Sequence, residues 1–163
     1  MKATYLSELY RGFLYSVQDY TFINIPDDQL QEDLEYYLER AIDNFYKCKQ
    51  PLDVVVDSNG EKHFGYTEIK SGKEELVKVK LTGLEKNILT HLMLVEYLKP
   101  QLITSELLKP SMGDKGFKIY SQANHIRELS LLYRTIQREC NKKITEYTYL
   151  DLGEEKWLIT TKN

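Results

Sequence analysis

Hydrophobic residues recur every three or four positions over four stretches of this chain, which is the spacing of amphipathic helices. The first stretch covers residues 4–18. The second follows Pro26, has Asp27 or Asp28 as its cap and is ended by Pro51; Gln31 completes a pattern from Asp28 that resembles a capping box. The pattern therefore predicts two helices in the first third of the chain.

Two further helical stretches occupy the second half of the chain. One begins at Thr82-Gly-Leu-Glu85, the clearest capping box present. We expect a break at Lys99-Pro100, because proline disfavours helical geometry in the residue before it, and a second helical piece that ends before Pro110. The last helix is predicted from Ser121, as its N-cap, to Thr148.

Residues 52–66 have a different pattern, in which apolar runs flank the turn sequence Asn59-Gly60. Because glycine and asparagine tolerate a positive φ, this predicts a β-hairpin. Residues 67–76 are polar and predict a loop, whereas residues 77–81 alternate like a short strand.

The predicted fold is thus mainly α. It is a small helical bundle formed by the second, third and last helices, with a long C-terminal helix, one β-hairpin insertion at about 52–81, and an extended or β-prone C-terminal tail. The predicted organisation is one helical domain, residues 1–149, followed by a C-terminal extension, residues 150–163.

The composition favours a globular protein and argues against several functions. The formal net charge is −3, from 22 basic and 25 acidic side chains, whereas dedicated nucleic-acid binders are usually basic. The N-terminal sequence lacks the apolar run of a signal peptide, and nothing approaches the length of a membrane span. Thirteen tyrosines accompany one tryptophan; tyrosine is typical of interfaces, but the same residues can line the edge of a core.

Candidate chemistry is sparse. Three histidines, His63, His91 and His125, lie on different predicted elements and lack metal-ligand spacing. Cys48 lies between two lysines, which would lower the pKa of its thiol, but no paired histidine is evident. Cys140 falls on the apolar side of the last helix, so we expect it to be a small residue of the core. We therefore expect no enzymatic activity, no metal and no cofactor.

Charge patterning predicts contacts between copies. The second helix carries an acidic face and the last helix a basic one, and unlike complementary faces allow subunits to close a ring. The predicted inter-subunit residues are Glu32, Asp33, Glu35, Glu39, Arg134, Arg138, Lys142 and Lys143.

Two loops and the tail are predicted to contact partners. The loops are the hairpin tip at 57–61 and the segment at 109–118, where glycine and proline favour exposure; their candidate residues are Ser58, Asn59, Gly60, Met112, Lys115 and Phe117. The tail is β-prone and is expected to add as a strand to a partner, or alternatively to fold back on the bundle. Its candidate docking residues are Tyr149, Leu150, Leu152, Trp157, Leu158 and Ile159.

The order of several short motifs resembles the head–tail connectors of tailed bacteriophages, also called neck or adaptor proteins. The motifs are Phe13-Leu-Tyr15, Leu81-Thr-Gly-Leu-Glu85, Glu96-Tyr-Leu-Lys-Pro-Gln-Leu102 and Tyr120-Ser-Gln-Ala-Asn124. The likeness covers most of residues 1–150, and none of the motifs is a catalytic signature.

This resemblance implies a structural subunit of the virion, assembled in the host cytoplasm. It would form a ring, commonly of twelve copies, dock under the portal protein and contact other neck or tail proteins, while DNA only passes through the lumen. The alternatives are a tail-completion or stopper protein of the same neck and, in a different class, a small DNA-binding regulator that uses the basic face of the last helix.

Overall fold

The computed structural model describes the backbone of residues 3–17, 25–108 and 116–160, and the side chains of residues 3–17, 25–104 and 124–150. Four helices and three strands lie within these ranges. In chain order they are α1 (Leu6–Val17), α2 (Asp27–Asn44), β1 (Val54–Val56), β2 (Lys62–Lys70), β3 (Lys73–Lys78), α3 (Gly83–Leu108) and α4 (Gly116–Thr160). The predicted mainly helical fold, with a small β insertion and a long C-terminal helix, is confirmed.

The central element of the bundle is α3. Every side chain from residue 88 to 98 is buried or half-buried, because α1, α2 and α4 all pack against this helix. The core combines Met93 of α3 with Phe13, Leu38 and Cys140 of the other three helices. Each fully buried apolar side chain of this size stabilises the fold by about 1.5–3 kcal/mol. The predicted bundle of second, third and last helices is therefore present, and α1 joins it.

The three strands form one antiparallel sheet in the order β1-β2-β3. The predicted hairpin is confirmed, since Val54 pairs with Phe64 and Val56 with Lys62. The start of the chain is bonded to this sheet, because the carbonyl of Thr4 accepts the N–H of Phe64 at 3.0 Å and its own N–H donates to the Val79 carbonyl at 3.0 Å. Burial of Phe64 then joins the sheet to the helical core.

The prediction of a loop over residues 67–76 is wrong. β2 continues to Lys70, and β3 begins at Lys73 after a two-residue turn in which Ser71 and Gly72 have φ values of 52° and 78°. Positive φ at both central positions matches the right-handed twist of the paired strands. The polar composition concealed a second hairpin whose side chains are mostly exposed, including Ile69 at 73%.

Two predicted helix boundaries also differ. α3 continues through Pro100 to Leu108, so the expected break is wrong; packing on all sides of the preceding turns offsets the helix-breaking effect of proline. At the start of α2, the N-cap is Pro26 and no side chain caps the helix. The side-chain amide of Gln31 instead donates to Glu35 Oε1 at 2.8 Å.

The last helix is longer than predicted at both ends. It begins at Gly116, so Ser121 is not its N-cap, and it continues to Thr160. The predicted extended or β-prone tail is therefore wrong for residues 150–160. Extending an existing helix adds one hydrogen bond per residue without a new nucleation cost, and this outweighs the β-propensity of the local sequence. The predicted boundary between residues 149 and 150 falls inside α4.

Candidate protein-binding surfaces

A buried polar junction joins the start of α3 to α4. The Thr82 N–H donates to Glu85 Oε2 at 2.7 Å, and the Glu85 N–H donates to Thr82 Oγ1 at 3.2 Å, which confirms the predicted capping box. Glu85 is only 1% exposed. Its other carboxylate oxygen accepts the Tyr147 hydroxyl at 2.7 Å. That hydroxyl also accepts the backbone N–H of Lys49 at 2.9 Å.

This junction links α4 to the start of α3 and to the segment that follows α2. Burial, and secondarily the hydrogen bond to Glu85, raises the pKa of Tyr147, so the hydroxyl remains a neutral donor. The Tyr147 ring also packs edge-on against Phe45, with 5.3 Å between centroids. The capping box could be predicted from the sequence because its residues are close together in the chain. The bond from Tyr147 could not, because Tyr147 is 62 residues from Glu85.

Neither cysteine is an activated nucleophile. The thiol pKa of Cys48 is raised, chiefly by burial, so the expectation that neighbouring lysines lower it is wrong. Burial likewise raises the pKa of Cys140 to about 11. Cys140 is 1% exposed and lies in the core, as predicted.

The three histidines lie in unrelated environments. His63 is fully buried on β2 beside the ring of Tyr5, whereas His125 is exposed. His91 Nε2 faces Lys143 Nζ at 2.9 Å, and its Nδ1 lies 2.9 Å from the Asn87 carbonyl. Among the residues whose side chains are described, no group of three or more histidine, cysteine, aspartate or glutamate side chains is arranged to hold a metal ion.

The four predicted acidic interface residues do not form one free face. Glu35 is engaged within the chain, because Lys62 Nζ lies 2.7 Å from its Oε1. The hydrogen bonds from Lys62 and Gln31 hold the pKa of Glu35 below its usual range. Asp33 is half-buried and lies beside the amide of Gln29, whereas Glu32 and Glu39 are exposed.

The four predicted basic interface residues also differ in whether they are already engaged within the chain. Lys143 donates to Asn87 Oδ1 at 2.7 Å and is half-buried against α3. Lys142 lies 3.8 Å from Glu146 in an exposed pair, which contributes little to stability. Arg134 and Arg138 are both exposed and form no ion pair with the described side chains. The pairing between copies stays a prediction, carried by fewer residues than expected.

A shallow groove of about 440 Å³ lies between α2 and β1. Tyr36 and Ile42 on one side, and Val54 and Val56 on the other, make it partly apolar. Glu32, Glu35 and Glu39 also line it. Tyr10 and Lys62 complete its polar lining, and Lys62 pairs with Glu35 there. An apolar centre with a polar rim is the composition found at protein interfaces.

The hairpin tip is an ordered exposed turn. Asp57 Oδ1 accepts the N–H groups of Asn59 and Glu61 at 2.8 and 2.9 Å, and these bonds hold the pKa of Asp57 below its usual range. Gly60 has φ 83°, and Ser58, Asn59 and Gly60 are exposed as predicted.

The second predicted loop is only partly described. Met112 and Lys115 lie outside the described residues. Phe117 belongs to the helical backbone of α4, so residues 116–118 are not a loop. The contacts of its side chain lie outside the described set.

The candidate docking residues at the end of the chain lie on α4. Tyr149 and Leu150 are 68% and 61% exposed. The side chains of Leu152, Trp157, Leu158 and Ile159 lie outside the described set, although their backbone is helical.

Along the described chain, no helix is both long enough and apolar enough to cross a membrane. No family model, no curated protein and no solved structure matches the chain.

Proposed function

We propose that this chain is a structural adaptor subunit of a phage head–tail connector. In this role, copies assemble as a ring, commonly of twelve, that docks under the portal protein and links capsid to tail without catalysis. The observation that carries the proposal is the pair of exposed helix surfaces of opposite charge, acidic on α2 and basic on α4. Glu32 and Glu39 on α2, and Arg134 and Arg138 on α4, are exposed, so each surface is available to a neighbour.

The exposed apolar residues of α4 support a role in contact. Leu131, Leu132, Tyr149 and Leu150 are all at least 49% exposed. Tyrosine and arginine are among the residues that supply most of the binding energy of protein interfaces, and apolar neighbours around them exclude water. In the proposed adaptor, the exposed residues Tyr149 and Leu150 of helix α4 belong to the portal-docking surface.

The test is binding to the portal protein of the same virus. We expect the purified chain to bind portal rings in a pull-down, and cryo-electron microscopy to show it as a ring beneath them. A Tyr149→Ser, Leu150→Ser variant should lose portal binding with an unchanged melting temperature, whereas Tyr15→Ser, an exposed change on α1, should bind normally. Absence of binding by the unaltered chain contradicts the adaptor role.

The same preparation separates the adaptor from a DNA-binding regulator, which the exposed arginines of α4 also permit. A regulator would bind duplex DNA with an affinity that falls steeply as salt rises. We expect no such binding, since the acidic α2 and the net charge of −3 oppose it. Steep salt-dependent binding of duplex would favour the regulator.

A further inference from the structure

Helices α2 and α4 carry matched rows of residues with opposite charge. On α2 the row is Glu32, Tyr36, Glu39 and Asp43, and on α4 it is Arg127, Leu131, Arg134 and Arg138. Both rows follow the spacing i, i+4, i+7, i+11. Three charged residues and one apolar residue therefore occupy equivalent places in each row, and each row spans about 16 Å at the standard helical rise.

Both rows lie on the side of the helix that faces away from the core. On α2 the buried residues are Leu34, Leu38 and Ala41, and at 100° per residue the acidic row lies opposite to them. On α4 the basic row likewise lies opposite Ile126, Leu129, Cys140 and Tyr147, which are buried.

The side chains of both rows are exposed to solvent. Tyr36 and Leu131 are 56% and 55% exposed, values that leave a large apolar surface uncovered at the same position in each row. The charged members are also exposed. The only ion pair that involves either row among the described side chains is the exposed one between Asp43 and Arg40, at 3.8 Å.

The two rows cannot pair within one copy. α2 and α4 both pack against α3, and residues 88–98 of α3 are covered on all sides. The outward faces of α2 and α4 therefore point away from this shared centre, and only a second copy can bring one against the other. Contact between two unlike faces is heterologous and continues from copy to copy.

We propose that the acidic row of α2 docks against the basic row of α4 of a second copy, with the two helices parallel. In this register Glu32 faces Arg127, Tyr36 packs on Leu131, Glu39 faces Arg134 and Asp43 faces Arg138. This inference deepens the proposed function, since it names the residues through which adaptor subunits contact one another. The ion pairs select the register and the parallel direction, and Tyr36 with Leu131 forms the desolvated centre.

Charge swapping tests the pairing. Sedimentation velocity of the full chain at high protein concentration should show self-association that weakens as salt rises. Glu39→Arg with Asp43→Arg should weaken association roughly tenfold, and Arg134→Glu with Arg138→Glu should do the same. All four changes in one chain should restore it. The control Glu74→Arg with Glu75→Arg, at two exposed residues of β3, changes the net charge by the same amount as the α2 variant and should leave association unchanged.

Disulfide trapping tests the register. In a Cys48→Ser background, a Tyr36→Cys protein mixed with a Leu131→Cys protein should form a mixed dimer under mild oxidation. Tyr15→Cys mixed with Leu131→Cys should not. Absence of the mixed disulfide overturns the register. If the four-change variant also fails to recover association, the pairing is wrong. Loss of association through Ile69→Lys alone, at an exposed residue of β2, would instead assign the contact to the sheet.

These results are independent of portal binding. A chain that self-associates through the two rows but does not bind the portal supports this inference and contradicts the connector role. A chain that binds the portal but whose self-association is unaffected by the charge swaps supports the connector role and contradicts the pairing of the two rows.

Discussion

At the scale of single residues, two buried tyrosines differ in whether their hydroxyl groups have partners. The Tyr147 hydroxyl bridges Glu85 and the Lys49 N–H. We expect Tyr147→Phe to lower the free energy of unfolding by about 1–3 kcal/mol, because a buried carboxylate and a backbone donor both lose a partner. Urea unfolding measures this change. Tyr149→Phe, an exposed change on the same helix, is the control, and an equal midpoint for both variants would show that the junction contributes nothing.

For Tyr10 we expect a change of the opposite sign in the free energy of unfolding. It is 7% exposed, and its hydroxyl has no hydrogen-bond partner among the described residues. Tyr10→Phe removes an unsatisfied buried polar group and keeps the ring, so we expect the free energy of unfolding to rise by about 1 kcal/mol. The same urea measurement applies, and a loss of stability as large as that of Tyr147→Phe would contradict the prediction.

At the scale of elements, the sheet depends on a glycine at its centre. A Cβ atom on Gly65 would lie 2.6 Å from the Val77 carbonyl oxygen and 3.0 Å from Val55 Cγ2. Because the first of these atoms is strand backbone, Gly65→Ala should destabilise the protein by about 1–3 kcal/mol. Gly83→Ala, where a Cβ would meet nothing within 4 Å, is the control. Thermal unfolding compares them, and similar melting temperatures would contradict the close approach.

Helices, strands and turns also differ in how well the local sequence predicts them. The capping box at Thr82 and Glu85 and the Asn59-Gly60 hairpin were predicted because each involves residues close together in the chain. The Ser71-Gly72 turn offered a weaker signal of the same kind. The local sequence contained no sign that α3 continues through Pro100, because the packing of α1, α2 and α4 against α3 outweighs the local preference for a break.

At the scale of the whole molecule, buried tyrosines predict a loss of stability at alkaline pH. Burial raises the pKa of Tyr10, Tyr37 and Tyr147 above the ordinary value of 10.0. Above about pH 10 the unfolded chain releases these protons while the folded protein retains them, so unfolding is favoured as pH rises. The stabilisation is complete below that pH and is lost progressively above it.

Urea midpoints measured from neutral to alkaline pH check this expectation. The double variant Tyr10→Phe, Tyr147→Phe should show a smaller fall than the unaltered protein, because two of the three groups no longer titrate. An identical fall in both proteins would assign the alkaline effect to other groups.

The candidate surfaces were only partly predictable. The sequence placed acidic residues on the second helix and basic residues on the last, since a period of 3.6 residues determines which side chains share a face. It did not show that Lys62 engages Glu35 or that Asn87 and His91 engage Lys143. Those partners are distant in the chain, and only folding brings them together.

The sequence alone determined the helical class, the hairpin at Asn59-Gly60 and the start of α3, because hydrophobic periodicity, turn residues and caps act over a few neighbours. The tertiary structure decided what depends on distant residues: the second hairpin, the passage of α3 through Pro100, and the buried link between Glu85 and Tyr147. It also decided that Tyr36 and Leu131, with the charged rows that contain them, remain exposed to solvent. Local preferences amount to about 1 kcal/mol per residue, and the packing of a bundle around α3 outweighs them.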